Sequence, residues 1–393
     1  MNTQQAAQYL TPNYARFPIT LVKGQGARLW DDAGKSYLDF VAGIAVNTLG
    51  HAHPALIKTI TEQAVTMLHC SNLYFNPQQN ELAKKLVELS GLGKTFFCNS
   101  GAEANEAAIK LARKFFFDKG ERKYTIITAL QSFHGRTMQT IAATGQDKVK
   151  EGFAPLPAGF THVALNDLDA LKAAIDDSTA AIMLEPLQGE GGVNLANVVY
   201  LEAVRALCDK HGILLIFDEI QTGIGRCGTM FAFEKAGVSP DIITLAKGLG
   251  GGVPIGAMLA TNNVGKSFSA GSHGTTFGGN PMSCAVALTV LDVMEEEDLL
   301  NNVQARSAQL QTGLQKLVAT YTIFEEVRGD GLLLGIKANI EVAPIINACL
   351  DNGLLVLAAG PQVLRFLPAL NISEAEITEG LAILSKSIEG LNL

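Results

Sequence analysis

Residues 213–221 read ILLIFDEIQ: five apolar side chains from Ile213 to Phe217, then Asp218. A run this short fits a buried strand rather than a membrane span, and the acid that ends it sits at the rim of a sheet. Just before it, residues 200–211 have helical spacing, and Gly212 stands where a helix takes a left-handed stop. Just after it, residues 241–245 form a second short apolar run that ends at Ala246-Lys247-Gly248. The same alternation extends toward the N-terminus, with strands expected at 95–98, 124–129 and 180–184 and helices at 103–117 and 168–176. Strand, helix, strand repeated this way predicts an α/β fold with a mostly parallel sheet covered by helices on both faces.

Further out the pattern changes. Apolar residues at helical spacing predict amphipathic helices over 54–70 and 80–90. Asn280-Pro281 has the form of an N-cap and first helical residue, opening a long helix through Glu297. Weak strands follow at 332–336 and 363–367, and a last helix starts at Ser373, whose capping box Glu376 completes. The expected division is a large domain over 61–285, a smaller α+β domain over 286–393, and an N-terminal segment, 1–60, packed with the small domain.

Composition narrows the function. The chain has 393 residues, 48% of them hydrophobic and 17% charged, which suits a compact globule and not a disordered chain. Its net charge of −8 is spread without a run of one sign, so nucleic acid is not an expected partner. No apolar run reaches a membrane span and the polar start, residues 1–8, lacks a signal-peptide core, so a cytoplasmic location is expected. The six cysteines form no CxxC pair, and His51 and His53 in GHAHP have no third ligand nearby. No metal site is expected, and His53-Pro54 reads as a turn capping the helix that follows.

In an open parallel sheet, ligands bind beyond the carboxyl ends of the strands. Five loops with unusual polar residues occupy such ends: residues 100–103 (SGAE), 132–136 (SFHGR), 185–192 (EPLQGEGG), 218–221 (DEIQ) and 246–248 (AKG). Ser100 with Glu103 spells a capping box, leaving the amides of Gly101 and Ala102 at the positive end of a helix as an anion cradle. Asp218, on an apolar floor, needs a cationic partner. LLIFDE would suit a magnesium-holding Walker B strand, but the two GKS tripeptides, at Gly34 and Gly265, lack the first glycine of a phosphate loop. Residues 223–228 match GxGxxG, yet they follow no strand directly and open no helix.

What remains for Asp218 is a protonated aromatic nitrogen on a bound cofactor, or a buried ion pair with Lys247 in a structural protein. Lys247 ends the next expected strand, in an apolar, glycine-rich setting where an amine can turn nucleophilic toward a carbonyl. An aspartate for a pyridinium, a lysine for an imine and an amide cradle for a phosphate are the parts that hold pyridoxal 5′-phosphate. That cofactor also serves racemases, mutases and decarboxylases.

Nine blocks carry a resemblance: YLDF (37–40), GHAHP (50–54), NSGAEANEAAIKLAR (99–113), FHGR (133–136), EPLQGEGG (185–192), DEIQTGIGRCG (218–228), AKGLGGGVPIGA (246–257), HGTTFGGNP (273–281) and RFLP (365–368). Together they resemble the class III pyridoxal-phosphate-dependent aminotransferases. The resemblance implies the fold type I architecture of these transferases, and Lys247 as the imine-forming lysine and proton shuttle with Asp218 on the pyridine nitrogen. It implies Gln221 on the cofactor's phenolate oxygen, Phe133 stacked on its ring, and Gly101 with Ala102 on its phosphate. Thr276 would reach the phosphate of the neighbouring subunit, which makes a homodimer the expected assembly. Arg365 would clamp the α-carboxylate of glutamate, and Glu190 would cover Arg365 while an ω-amine is bound. Arg136, with Thr275 beside it, would grip the distal carboxylate. The implied reaction moves the δ-amino group of N2-acetylornithine to 2-oxoglutarate, in arginine biosynthesis. Succinylornithine, ornithine, 4-aminobutyrate and aminoadipate semialdehyde are the alternative family substrates, and Ile44, where ornithine enzymes tend to carry tyrosine, argues against free ornithine.

Overall fold

The computed structural model describes residues 8–391, so most of the polar N-terminal stretch read above lies outside the described residues. Its centre is a seven-stranded sheet. Across the sheet the strands run Lys94–Cys98, Gly256–Ala260, Ile242–Leu245, Leu214–Asp218, Thr179–Leu184, Thr125–Ala129 and Phe160–Val163. All pair in parallel except Gly256–Ala260, which is antiparallel to both neighbours. The strand Leu214–Asp218 is buried along its whole length, as two-sided helix cover requires.

The expected strands and helices are present, with ends shifted by a few residues. Gly212, at φ 59°, closes the helix Val198–His211. The Asn280 side chain accepts the Ser283 N–H at the start of the helix Pro281–Glu296. Ser373 and Glu376 form a reciprocal capping box on the helix Glu374–Glu389. The boundary expected at residue 285 falls inside the continuous helix Pro281–Glu296. Two strands of the large sheet, Phe160–Val163 and Gly256–Ala260, go beyond the sequence reading.

Two smaller sheets flank this core. One holds Phe324–Asp330, Leu333–Ala338, Val363–Phe366 and Leu357–Ala358, all antiparallel. The other joins Leu21–Gln25, Arg28–Asp31 and Ser36–Asp39 to Leu354–Leu355 from the far end of the chain. Arg226 ties the large and small parts together. Its guanidinium, buried, donates to the carbonyls of Leu332 at 3.0 Å and Pro368 at 2.5 Å. GxGxxG here is therefore a bolt between sheets.

Ahead of the site lies a turn of unusual hand. Ala42, Gly43, Ile44 and Ala45 all have positive φ, between 46° and 67°. Asp39 holds its entry, because Oδ1 accepts the N–H groups of Val41 and Ala42, both at 2.9 Å. The other oxygen, Oδ2, lies 2.7 Å from His51 Nε2. GHAHP thus supports this turn. His53 stands at the N-cap of the helix Pro54–Thr66, as expected, but its ring makes no capping bond and lies 3.3 Å from Glu297. Among the described residues no group of three metal-binding side chains occurs.

Candidate active site

The carboxyl ends of the central strands open into a cavity of about 430 Å³, lined by Gly101, Phe133, Asp218, Gln221 and Lys247 among others. All five loops picked out from sequence contribute to this lining, residues 185–192 through Glu185 and Glu190.

The strand Lys94–Cys98 delivers the chain to Ser100, the N-cap of the helix Gly101–Asp118. Ser100 Oγ accepts the Glu103 N–H at 3.2 Å. The reciprocal half of the expected box is absent. Glu103 Oε2 instead accepts from Asn99, at 2.6 Å from the backbone N–H and 2.9 Å from Nδ2, because the extended Ser100 places the Asn99 donors over the helix end. The first amides of a helix have no partner in its own ladder, so those of Gly101 and Ala102 remain available to an anion. A Cβ on Gly101 would stand 2.7 Å from Ile220 Cδ1, so a side chain here would push Ile220 out of the cavity wall.

Asp218 closes its strand and is buried. Its partners are not those of the alternative ion pair with Lys247. Oδ2 lies 2.7 Å from His134 Nδ1 and 2.8 Å from Asn105 Nδ2. Among the described residues Lys247 makes no carboxylate contact with Asp218; Glu190 Oε1, at 4.0 Å, is its carboxylate neighbour. The buried Asp218–Lys247 ion pair of a structural protein is thereby set aside.

Lys247 opens the turn after Ile242–Leu245 with φ 41°, a left-handed backbone at a non-glycine residue. Thr48 Oγ1 donates to the carbonyl of the adjoining Gly248 at 2.9 Å. Burial pulls the Lys247 amine below the ordinary lysine range; Glu190 opposes that and Arg365 adds to it. A larger share of free base is what a lysine needs to attack a carbonyl or take a proton.

Arg365 leaves the strand Val363–Phe366 almost completely buried. Its guanidinium forks onto Glu190, with NH1 2.7 Å from Oε1 and NH2 3.2 Å from Oε2. NH1 also donates to the Gly189 carbonyl at 2.6 Å. Burial by itself would raise the Glu190 carboxyl, but Arg365, then Lys247, bring it down to about 2. Gln221 lies between them, donating to Glu190 Oε1 at 2.9 Å and accepting from Arg365 at 3.3 Å.

The remaining candidates are placed unevenly. Phe133 lines the cavity, its N–H donating to Glu185 Oε2 at 3.0 Å. Burial, then Asp218, holds the Glu185 carboxyl well above its usual range. Arg136 also lines the cavity, exposed, with its guanidinium 5.5 Å from the Phe133 ring centre, and it makes no ion pair among the described residues. Thr275 and Thr276 do not reach this cavity. They line a second one, of about 510 Å³, where Thr275 Oγ1 accepts from Asn99 Nδ2 at 3.2 Å. Ile44 stands outside the lining, while Val46 two residues later is part of it. His134, Asn105 and Glu185 have no assigned role in the sequence reading. Each lies inside a block already marked, so the signal was the block and not the residue.

An amide cradle at a glycine with no room for a Cβ, a buried carboxylate on the cavity wall and an amine whose pKa burial lowers suit the phosphate, ring nitrogen and aldehyde of pyridoxal 5′-phosphate. Fold and site together define a transferase that depends on this cofactor, of fold type I. The chain belongs to the aminotransferase class-III family, whose model matches residues 9–388. It is 52% identical, over 96% of each chain, to the acetylornithine aminotransferase of Caldanaerobacter subterraneus subsp. tengcongensis. It is 49% identical to the succinylornithine transaminase/acetylornithine aminotransferase of Pseudomonas aeruginosa, over 98% of this chain and 96% of the relative. The crystal structure of N-acetylornithine aminotransferase from Stenotrophomonas maltophilia K279a superposes with a TM-score of 0.85 at 40% identity, covering 98% of both chains.

Proposed function

We propose that this chain transfers the δ-amino group of N2-acetylornithine to 2-oxoglutarate, giving N-acetylglutamate 5-semialdehyde and glutamate, a step of arginine biosynthesis. The observation that carries the reading is the Arg365–Glu190 fork 4.0 Å from Lys247. A transaminase with one ω-amine and one α-amino acid as substrates must offer a carboxylate clamp to the second and hide it from the first. A guanidinium covered by a carboxylate that an incoming α-carboxylate can displace does both.

When bound, pyridoxal 5′-phosphate supplies an aldehyde that takes up the amino group and a ring that accepts the electron pair left when a carbon–hydrogen bond is broken. The protein supplies the rest. Lys247 Nζ takes the proton from the δ carbon of acetylornithine, or from the α carbon of glutamate, and returns it on the other side of the transfer. With the cofactor bound, Asp218 would hold the proton on the ring nitrogen, Phe133 would cover the ring, and the amides of Gly101 and Ala102 would hold the phosphate. Gln221 keeps one amide N–H beyond its bond to Glu190, and this serves the phenolate oxygen. Arg136 binds the carboxylate farthest from the reacting carbon. Among the described residues it pairs with no acid that would compete with that carboxylate.

Thr276 completes the phosphate site of a second copy, so the working unit is a homodimer. Support comes from the exposed apolar group Leu73, Tyr74, Phe75 and Phe277 beside that loop. Asn72 Nδ2 fastens the two segments by donating to the Gly278 carbonyl at 2.9 Å. Six free thiols suit a reducing compartment, and we place the enzyme in the cytoplasm. The relative named for both acyl-ornithines favours succinylornithine as a second substrate.

The test is kcat/KM for acetylornithine, succinylornithine, ornithine and 4-aminobutyrate, with sedimentation to fix the assembly. Acetylornithine should rank first; a higher value for ornithine or 4-aminobutyrate overturns the substrate assignment. Lys247→Ala should fold and lose turnover, while Asp218→Asn should slow proton transfer at least about a hundredfold. Substantial activity in the lysine variant would remove Lys247 from its role.

A further inference from the structure

The two oxygens of Asp218 are unequally engaged. Oδ2 takes two side-chain donors, His134 Nδ1 at 2.7 Å and Asn105 Nδ2 at 2.8 Å. Oδ1 accepts the backbone N–H of Ile220 at 3.1 Å and, among the described residues, nothing else. A carboxylate held at one oxygen cannot turn about its own axis without breaking those bonds, so the other oxygen is the one left to face the cavity.

Asn105 is an unexpected residue in its place. It is fully buried on the helix Gly101–Asp118, between Ala104 and Ala107, where an amide must find every partner within the protein. Nδ2 donates to Asp218 Oδ2 and also, at 2.8 Å, to the His134 carbonyl. Oδ1 accepts from Thr244 Oγ1 at 2.7 Å. Two acceptors on one end and a donor on the other fix which way the amide points. Thr244, also fully buried, is the register partner of Asp218 on the adjacent parallel strand, so its side chain lies on the same face of the sheet.

We infer that Asn105, locked by Thr244, is a positioning residue that turns Asp218 so that Oδ1 meets the ring nitrogen of the cofactor. The inference rests on the proposed role of Asp218. Asn105 stands four residues after Gly101, one helical turn along the axis, a rise of about 6 Å. A single rigid helix therefore sets both the phosphate end and the nitrogen end of the site. Asp218 lines the cavity and, among the described residues, Asn105 and Thr244 do not; both act through Asp218.

The test uses holoenzyme loaded with pyridoxal 5′-phosphate labelled with ¹⁵N in the ring, whose chemical shift reports whether that nitrogen carries a proton. Thr244→Val removes the hydroxyl and keeps the shape, Thr244→Ser restores it, and Asn105→Ala removes the amide. Wild type and Thr244→Ser should give the protonated shift. Thr244→Val and Asn105→Ala should move toward the unprotonated value, bind the cofactor about tenfold to a hundredfold more weakly, and lower kcat of the first half-reaction more than they change KM. A purely structural role would lower Tm and leave the shift alone. A wild-type shift in Thr244→Val overturns the inference while the Asp218 assignment stands, and it does so even if Asn105→Ala fails to fold. An unprotonated nitrogen in wild type refutes the Asp218 assignment and the inference with it.

Discussion

Replacing Glu190 by Gln separates the two duties of Arg365. The Glu190 carboxyl lies at about 2 against an ordinary 4.5, because Arg365 and Lys247 outweigh the cost of burial. That interval corresponds to roughly 3 kcal/mol favouring the charged form. The side chain is 26% exposed, so solvent trims this to about 1.5–3 kcal/mol. An incoming α-carboxylate must displace this acid before it can use the guanidinium. Gln keeps the shape and one acceptor but removes the competing charge, so glutamate and 2-oxoglutarate should gain about tenfold to a hundredfold in apparent affinity. Acetylornithine brings no carboxylate to Arg365 and would meet an uncovered cation beside its own ammonium; it should lose. The assay is single-turnover half-reactions followed by the visible band of the cofactor, read as the ratio of kcat/KM for glutamate over acetylornithine. A ratio that stays at the wild-type value refutes the idea that Glu190 alternates between covering and uncovering Arg365.

Two further outcomes concern Glu219 and Gly101. Burial pushes the Glu219 carboxyl up to about 7, although the Thr222 hydroxyl and the Phe233 N–H both donate to it. The folded protein thus holds a proton that the unfolded chain has released, and stability falls as pH rises from 4.5 through 7. Glu219→Gln should flatten that part of the stability profile by up to roughly 3 kcal/mol, measured by denaturant melts across pH; an unchanged slope would count against it. Gly101→Ala places a Cβ 2.7 Å from Ile220 Cδ1 and 2.9 Å from Cγ2. It should cost about 1 kcal/mol of stability and weaken cofactor binding, read by dialysis against the visible band, and wild-type affinity would show that the cradle tolerates a side chain.

The parts legible in sequence were those with local signatures. A run of five apolar residues ending in an acid located Asp218 on the cavity wall, and capping residues placed the helices that start at Pro281 and Glu374. The strand Gly256–Ala260 was hidden because GAMLA follows a glycine-rich turn, and strand direction leaves no mark on apolar spacing. Asn105 and Thr244 were hidden for a different reason. Spacing reports which face of an element is buried, but not which polar atoms from three separate elements meet there. The side chains that hold Asp218, His134 and Asn105, went unread because residues close in strand order, such as Lys247, are not necessarily the ones bonded to it. Thr276 could not be seated by one chain alone, since its loop faces a different cavity.

The segment from Ala42 to Ala45 winds opposite to every ordinary helix, at a cost of about 1–2 kcal/mol for each residue that is not glycine. It runs directly into the wall residue Val46 and ends three residues before Thr48, the tether to the lysine turn. Glycine at 42 or 45 would relieve that torsion and let the wall drift. Such a variant should melt later yet sort its substrates less strictly, so in this stretch of backbone firmness of the fold and selectivity pull in opposite directions.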